Sequence, residues 1–293
     1  MSPRLPAGLI DDLVDAGSRE HYADASLYDY EYRRRRADVA FYRELARSRL
    51  GSSGRILELG AGSGRVTIPL ARAGFEVVAV DTSAAMLGKL RARVAALPSA
   101  VAKRITVHEG DLRAFSVDIK KRGAFPLAIA VFNVLEHLYT RVEVDACLRR
   151  VADHLAPGGA FAFDVQLPDL AWLIRDPQKR WARTRFTDPT TKRQMFYSTN
   201  HDYDPIGQIA LIRLYYEPVD GKGPTKIVKL SQRKFFPAEL EALVSHAGLR
   251  VTERFGDFAG RPLDGTAESQ VLVCEKPDPR RGNVVSRRGF RSR

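Results

Sequence analysis

The chain has 293 residues, of which 44% are hydrophobic, 28% charged and 9% aromatic, a balance typical of a globular protein with one large or two modest domains. No apolar run approaches the roughly 18–20 residues needed to cross a bilayer, and the first residues lack the apolar core of a signal peptide. The two cysteines, Cys147 and Cys274, lie far apart, which argues against a disulfide framework or metal cluster and favours a reducing cytoplasm.

The net charge of +12 suggests an acidic partner, but its distribution weakens that interpretation. Residues 276–293 hold seven basic side chains and one acidic one, so about half of the excess lies in this terminal segment. The segment lacks periodic apolar positions, and we predict a disordered basic tail over 277–293. A second basic cluster, Arg33–Arg36, falls in a helical pattern and is expected to be solvated. A nucleic-acid partner is therefore disfavoured.

Helical and strand patterns alternate through the first part of the chain. A helix is predicted over 31–48, where apolar residues recur at helical spacing. Buried strands are then predicted over 55–59, 75–80, 105–109, 127–132 and 160–165, and helices over 66–73, 83–97 and 142–155. This alternation indicates βα units and a largely parallel sheet, built from a core over 51–168.

The alternation of helix and strand patterns ends after Pro168. Segments 195–199 and 208–217 are rich in aromatic and β-branched residues and are separated by turn signals, so we predict an antiparallel insertion over 169–236. A helix over 237–247 and strands over 249–255 and 269–275 would then complete the core sheet within residues 237–276.

The sequence Glu58-Leu-Gly-Ala-Gly-Ser-Gly-Arg65 follows the first strand and opens a helix. Alternate glycines allow a tight turn and close approach of the backbone to a ligand, and free N–H groups at a helix start suit an anion. A dinucleotide fingerprint needs a small residue where Arg65 stands. The spacing and Glu58 thus favour S-adenosylmethionine (SAM) over NAD, and an NAD-dependent oxidoreductase is the alternative.

Polar residues also follow the next three strands. Asp81 is placed to accept both hydroxyls of a ribose; its alternative role is to cap the following helix, which Thr82 or Ser83 could also do. Asp111 is placed to accept the adenine amino group, with Leu112 against the ring, and its alternative role is to cap a loop. The segment 133–138 follows the fourth strand, where a methyl donor should face its acceptor.

In combination these residues resemble the class I SAM-dependent methyltransferases. The resemblance covers 56–65, 80–87, 109–111, 131–138 and 155–159. It implies a Rossmann-like, doubly wound, seven-stranded sheet whose last strand is antiparallel, with the glycine loop at the methionine part of SAM, Asp81 at the ribose and Asp111 at the adenine. The implied SAM-binding residues of this core are Glu58, Gly60, Ala61, Gly62, Gly64, Asp81, Thr82, Met86, Gly110, Asp111, Leu112, Asn133 and Val134.

The flanking segments 28–32, 38–42, 233–240 and 255–258 more weakly resemble a bacterial small-molecule branch that includes sugar-amine N-methyltransferases and is similar to glycine N-methyltransferases. That resemblance implies an N-terminal helical lid over 1–50, with Tyr28 and Tyr32 near SAM, and a β cap that provides a homodimer surface. The alternative role of these tyrosines is helix packing. The substrate-facing candidates are Tyr22, Tyr197, His201 and Arg233.

Methyl transfer is an in-line displacement that requires an aligned nucleophile and exclusion of water, and a neutral amine needs no strong base. His137 is the candidate base, although a histidine here often serves packing in this family. A related metal-using group has Glu-x-x-Glu-His at this place, whereas this chain has Asn133 in the first position. We therefore predict that no metal is bound.

The acceptor is the least constrained part of the prediction. The tetrad 133–136 lacks the Asn/Asp-Pro-Pro-aromatic pattern of enzymes that methylate nucleobases, and no paired-glutamate loop of protein arginine methyltransferases is found. A small-molecule acceptor methylated on N rather than O is the favoured interpretation. A peptide or carrier-bound acceptor and a non-catalytic SAM-binding partner protein are the alternatives.

Overall fold

The computed structural model describes residues 7–117 and 125–280, which fold into two compact units. The small unit comprises residues 7–34 and 168–234, so two stretches far apart in the sequence build it. The large unit comprises residues 35–117, 125–167 and 235–280. The chain therefore leaves the large unit after residue 167 and returns to it at residue 235.

The secondary structure is mixed in both units. The helices are α1 (Ala7–Ala23), α2 (Ala25–Tyr32), α3 (Ala37–Leu50), α4 (Thr67–Arg72), α5 (Ala84–Ala95), α6 (Ser99–Ala102), α7 (Arg141–His154), α8 (Leu170–Leu173) and α9 (Pro237–His246). The strands are β1 (Arg55–Leu59), β2 (Glu76–Asp81), β3 (Ile105–Glu109), β4 (Phe125–Ala130), β5 (Leu155–Gln166), β6 (Trp181–Thr187), β7 (Gln194–Asp204), β8 (Ile209–Pro218), β9 (Lys226–Arg233), β10 (Arg250–Phe255) and β11 (Ser269–Glu275).

The large unit contains a seven-stranded sheet with the order β10-β11-β5-β4-β1-β2-β3. Strands β1 to β5 pair in parallel, whereas β11 is antiparallel to both of its neighbours, β5 and β10. The order reverses between β1 and β4, which is the switch point where open α/β sheets bind their ligands. The predicted seven-stranded sheet with its last strand antiparallel is confirmed.

Alternate residues of the central strands enter two separate cores because side chains on a strand point to opposite faces. Leu57 on β1 and Phe161 on β5 belong to one buried cluster, while Ile56 and Ala160, one residue away, belong to the other. Both faces are thus covered, which explains why these strands read as nearly continuous apolar runs. The carboxyl ends of the strands remain as the edge where loops can form a site.

The small unit is built on a four-stranded antiparallel sheet with the order β6-β7-β8-β9. The predicted antiparallel insertion after Pro168 is therefore confirmed. Helix α1 packs on β9 so closely that a Cβ added at Gly17 would lie 2.5 Å from the backbone nitrogen of Ser231. Leu27 on α2 joins Leu214 and Leu230 in the core of this unit.

The single helix predicted over 31–48 is wrong in one respect, since α2 ends at Tyr32 and α3 begins only at Ala37. The apolar positions that suggested the helix, such as Tyr42 and Leu45, are buried on α3 alone. Arg36, which precedes α3, has a non-helical φ of −132°. The buried Asp38 in the first turn accepts a hydrogen bond from Arg35 at 3.1 Å, a contact between side chains that the spacing pattern does not register.

Among the residues that the structure describes, no helix is both long and apolar enough to cross a membrane. Cys147 and Cys274 are free and buried, and burial raises the pKa of each thiol to about 12. Most of the basic tail predicted over 277–293 lies outside the described residues.

Candidate functional site

The glycine loop between β1 and α4 has three glycines in the left-handed region, with φ of 67° at Gly60, 55° at Gly62 and 89° at Gly64. At two of them a neighbouring side chain would also have to shift, because a Cβ would lie 2.4 Å from Val134 at Gly60 and 2.4 Å from the end of the Leu90 side chain at Gly64. At Gly62 a Cβ would meet no atom within 4 Å. Gly62 therefore presents bare backbone to open space, as a ligand cradle requires.

Asp81 at the end of β2 is bonded to this loop. Its carboxylate accepts the backbone N–H of Gly62 at 2.7 Å and that of Ser83 at 2.8 Å. Burial raises the pKa of Asp81, and the backbone donors oppose that shift. The cap of α5 is Ser83, whose hydroxyl accepts the N–H of Met86 at 3.4 Å, so the capping role considered for Asp81 is filled by its neighbour. Thr82 is exposed, while Met86 is buried.

Glu58 lies in the interior at the base of the loop, with only 2% of its surface exposed. Its carboxyl group accepts a hydrogen bond from the Thr67 hydroxyl at 2.7 Å. Burial raises the pKa of Glu58 to about 7, a shift that the Thr67 hydrogen bond reduces. Ala61 is buried beside it and donates its N–H to Val80 at 3.0 Å, which fixes the loop to the end of β2.

The loop after β3 is bonded to the same edge. Gly110 donates its N–H to the Asp81 carbonyl oxygen at 2.9 Å. The Asp111 carboxylate accepts two hydrogen bonds from Arg113 Nε, at 2.9 and 3.0 Å, and Arg113 also pairs with Glu143. The Arg113 hydrogen bond lowers the pKa of Asp111. Half-buried Leu112 packs against the large core, and Asp111 already has a protein partner, which the sequence did not indicate.

The turn after β4 has two consecutive non-glycine residues in the left-handed region, Phe132 (φ 74°) and Asn133 (φ 61°). The carboxylate of Asp164, on β5, holds both: it accepts the N–H of Phe132 at 2.9 Å and that of Asn133 at 3.4 Å. The Tyr42 hydroxyl donates to the same carboxylate at 2.8 Å. Asp164 was not predicted as a site residue, although an acidic residue inside the apolar run of β5 is a signal for such a buried role.

Val134 to His137 form a 3-10 turn that follows this backbone. Glu136 is fully buried and its carboxylate accepts the Gln166 N–H at 2.7 Å, which is a structural role. His137 is half-buried, and its Nδ1 lies 3.3 Å from the Tyr139 hydroxyl. The candidate base is therefore oriented by a neighbouring hydroxyl group, within the turn that also carries Val134 against Gly60.

Arg65, which separates this loop from the dinucleotide fingerprint, has a defined partner. Its guanidinium donates to both oxygens of Asp38, at 2.9 and 2.8 Å. Burial alone would raise the pKa of Asp38, but the hydrogen bonds and charge of Arg65 outweigh it and lower that pKa. Arg35 also donates to Asp38, and its guanidinium lies 4.3 Å from the Phe132 ring centroid. This ion pair was not predicted, since 27 residues separate its partners.

The predicted tyrosines of the small unit surround His21. Tyr22, Tyr28 and Tyr32 have ring centroids 5.3, 5.4 and 6.0 Å from that of His21. His21 Nε2 lies 3.3 Å from the Tyr32 hydroxyl. Burial lowers the pKa of His21 to about 4, so this imidazole is neutral at physiological pH. The packing role considered for Tyr28 and Tyr32 is thus present within the small unit.

The other acceptor candidates of the small unit have different surroundings. His201 stacks on Trp172 at 3.7 Å, and its Nε2 lies 2.9 Å from the Trp172 carbonyl oxygen, which is a packing arrangement. Arg233 is buried at the end of β9. Tyr197 lines a cavity of 510 Å³ together with Glu31.

Part of the sequence matches a known protein family. Residues 56–159 match the family described as "Methyltransferase domain". These residues run from β1 to the Pro157-Gly-Gly159 segment of β5, so they contain the glycine loop, Asp81 and the turn after β4.

Relatives extend the similarity over most of the chain. A Bacillus subtilis (strain 168) protein named "Putative methyltransferase YqeM" is 31% identical over 78% of this chain and 86% of its own length. Cypemycin N-terminal methyltransferase of a Streptomyces species is 26% identical over 75% of this chain and 82% of its own. The Streptomyces venezuelae enzyme dTDP-3-amino-3,4,6-trideoxy-alpha-D-glucopyranose N,N-dimethyltransferase is 27% identical over 82% and 95%, respectively.

Among solved structures, the CcbJ methyltransferase of Streptomyces caelestis superposes with a TM-score of 0.71 at 26% identity. The match covers 89% of this chain and 99% of CcbJ, so it includes most of both units.

Proposed function

This chain belongs to the class I family of SAM-dependent methyltransferases, and we propose that it transfers the SAM methyl group to an amine nitrogen of a small-molecule acceptor. The observation that carries the proposal is the open space at Gly62 beside the Asp81 carboxylate, at the switch point of the sheet. Nitrogen is favoured over oxygen because two relatives are named for methylation of an N-terminus and of an amino sugar.

The residues of the large unit fit SAM by the chemistry of their groups. Gly62 leaves room for close approach, and the Asp81 carboxylate, which accepts the N–H groups of Gly62 and Ser83, has further acceptor sites for ribose hydroxyls. In the proposed assignment Gly60, Gly62 and Gly64 approach the methionine part, Asp81 accepts the ribose, and Asp111 with Leu112 lies at the adenine. For Asp111, this assignment requires that the carboxylate accept a hydrogen bond from the adenine amino group in addition to those from Arg113.

When bound, SAM supplies an activated methyl group on a sulfonium. The chain's own task is then to hold the acceptor nitrogen in line and to exclude water. Asp164 supports that task in this proposal, because it holds the left-handed backbone of Phe132 and Asn133 in place. His137 is the proposed base for an acceptor that arrives protonated. No metal takes part in the proposed reaction.

A peptide amine is the second candidate acceptor. Cypemycin N-terminal methyltransferase favours it, as that relative's name refers to an N-terminus. A free N-terminal amine and an amino sugar pose the same chemical problem, which is to bind an ammonium group and release its proton before transfer.

The antiparallel sheet and the buried cysteines support proposals on the oligomeric state and the cellular compartment. We propose a homodimer formed through the four-stranded sheet, no nucleic-acid partner, and a reducing cytoplasmic location consistent with two buried free thiols. Sedimentation equilibrium tests the dimer, since a monomer at micromolar concentration would overturn it.

The first experiment is calorimetric titration of the purified chain with SAM, with its demethylated product S-adenosylhomocysteine, and with NAD. We expect saturable binding of the first two and none of NAD; binding of NAD instead would overturn the cofactor assignment. A panel of primary amines and matched alcohols is then incubated with SAM. A mass increase of one methyl group on amines, and not on alcohols, supports nitrogen, and the reverse result contradicts it.

A further inference from the structure

The small unit contains a cavity whose lining includes neither the glycine loop nor Asp81 or Asp111. Its volume is 510 Å³, which is within the range of small-molecule sites. The lining residues come from α2, the turn after it, β6 and β7: Tyr30, Glu31, Tyr32, Arg33, Arg34, Thr184, Arg185, Phe186 and Tyr197. The wall is thus mainly aromatic and basic, with one carboxyl group.

That carboxyl group, Glu31, is held by a single neighbour. Its Oε1 accepts the hydroxyl of buried Tyr216 at 2.6 Å. Within residues 7–117 and 125–280, the Glu31 side chain makes no other hydrogen bond and no ion pair, although Asp24 and Lys226 act on it at longer range and pair with each other at 3.6 Å. A carboxylate with acceptor sites left over in an aromatic wall is suited to a charged N–H donor.

Burial and charge show that Glu31 is an unusual group for a surface cavity. Burial raises its pKa to about 7, and the Tyr216 hydrogen bond opposes that shift. Burial and the charge of Glu31 raise the pKa of Tyr197 to about 12. The same two causes raise the pKa of Tyr216. Glu31 therefore changes charge near neutral pH while the hydroxyls beside it stay protonated, so above that pH it supplies the negative charge of this wall.

The rest of the lining has the opposite charge. Arg33, Arg34 and Arg185 are exposed, and the Arg33 guanidinium lies 3.6 Å from the Tyr30 ring centroid. Three guanidinium groups against one carboxyl group would repel a simple cation, whereas a simple anion would leave Glu31 without a counterpart. A ligand with both an amine and an acidic group matches both parts of the lining.

We propose that this cavity binds the methyl acceptor as a zwitterion, with its amine at the Glu31 carboxylate, which Tyr216 holds from behind, and a carboxylate or phosphate of the same molecule at Arg34 and Arg185. Tyr30 and Phe186 then contact the body of the acceptor. This inference rests on the proposed function, because N-methylation is what requires an amine acceptor. Tyr197, one of the substrate-facing candidates predicted from the sequence, lines the same cavity.

Three probes that share a tyramine body test the proposal in the full-length chain: L-tyrosine adds a carboxylate, O-phosphotyramine adds a phosphate, and tyramine carries neither. Binding is followed by ligand-observed NMR and competition. We expect one or both zwitterions to bind at least about tenfold more tightly than tyramine. Preference between tyrosine and phosphotyramine identifies which acidic group the arginines recognise.

Two matched pairs of variants locate the site. Glu31→Gln keeps the shape and the acceptor for Tyr216 but removes the charge, while Glu20→Gln makes the same change at an ion pair with Lys229 outside the cavity. Arg185→Gln is compared with Arg183→Gln, a neighbour on β6 that does not line the cavity. We expect the cavity variants to weaken zwitterion binding at least about tenfold and the control variants to leave it unchanged.

Several outcomes overturn the proposal. These are tyramine binding as tightly as both zwitterions, equal losses in cavity and control variants, or no probe binding to a chain that binds SAM. The calorimetric titration with SAM is performed on the same preparations. If SAM itself does not bind, the proposed function fails; if SAM binds and the probes do not, only the acceptor assignment fails.

Discussion

Replacement of Gly62 by alanine distinguishes two roles of this glycine: to allow the turn of the loop, and to leave space for a bound ligand. Gly62 has φ of 55°, and an L-residue in the left-handed region costs roughly 1–2 kcal/mol. Because the added Cβ meets no protein atom within 4 Å, no packing clash adds to that cost. We expect a folded protein whose melting temperature is lower by a few degrees.

The substitution should also weaken SAM binding, which the loss of folding stability alone would not do. If the methionine part of SAM fills the space beside Gly62, the added methyl group overpacks the contact, and overpacking of this kind costs roughly 1–3 kcal/mol. Calorimetry should then show an affinity for SAM lower by about tenfold or more.

Gly248→Ala is the matched control in the same unit, since Gly248 has φ of 78° and an equally open Cβ position after α9. It should lose similar stability and keep full SAM affinity. Equal SAM affinity in the Gly62→Ala and Gly248→Ala variants would refute the assignment of this space to the cofactor.

Three further changes test individual residues. Asp81→Asn removes the charge at the proposed ribose contact and should weaken SAM binding by about tenfold or more with the fold retained on circular dichroism, so an unchanged affinity contradicts the assignment. His137→Ala should lower kcat on an amine acceptor with the SAM affinity intact, and an unchanged kcat would make His137 structural. The carboxyl group of Glu58 has a pKa raised by burial to about 7 from an ordinary 4.5, so the folded state retains a proton that the unfolded chain releases between these values. Without SAM, the Glu58 contribution to the free energy of unfolding should therefore fall by roughly 3 kcal/mol as the pH rises from 4.5 to 7, and Glu58→Gln should remove that part of the pH dependence in denaturant titrations; an unchanged slope in the variant would contradict the shift.

Much of the fold was predictable because it depends on local periodicity. The strands of the large unit are buried on both faces, so β1, β4 and β5 appear in the sequence as short apolar runs between helical segments. Local periodicity did not indicate the helix over residues 7–23, which only the family resemblance implied as part of an N-terminal helical lid. Helix α1 is stabilised by its contact with β9, and a contact between residues about 200 positions apart leaves no periodic signal at either end.

The candidate site was predictable to a similar degree. The glycines and Asp81 follow strand ends directly, so their place at one edge of the sheet follows from the parallel order of the strands. Asp164 and the Arg65–Asp38 pair were missed because each is a partnership between distant residues, with separations of 32 positions from Asp164 to Phe132 and 27 from Asp38 to Arg65. The charge state of Glu58 likewise depends on burial, which no local pattern measures.

By itself the sequence determined the class of sheet, the glycine loop and the family to which they belong, because these depend on residues within one βα unit and on their spacing. Only the tertiary structure decided which of those groups are already engaged, such as Asp111 by Arg113 and His201 by Trp172, and which face open space, such as Gly62. It also brought Glu31 of α2 against Tyr216 of β8, 185 positions away, in a cavity lined by arginines. Whether a polar group can meet a ligand depends on what else lies within a few ångströms, and that is a property of the folded chain.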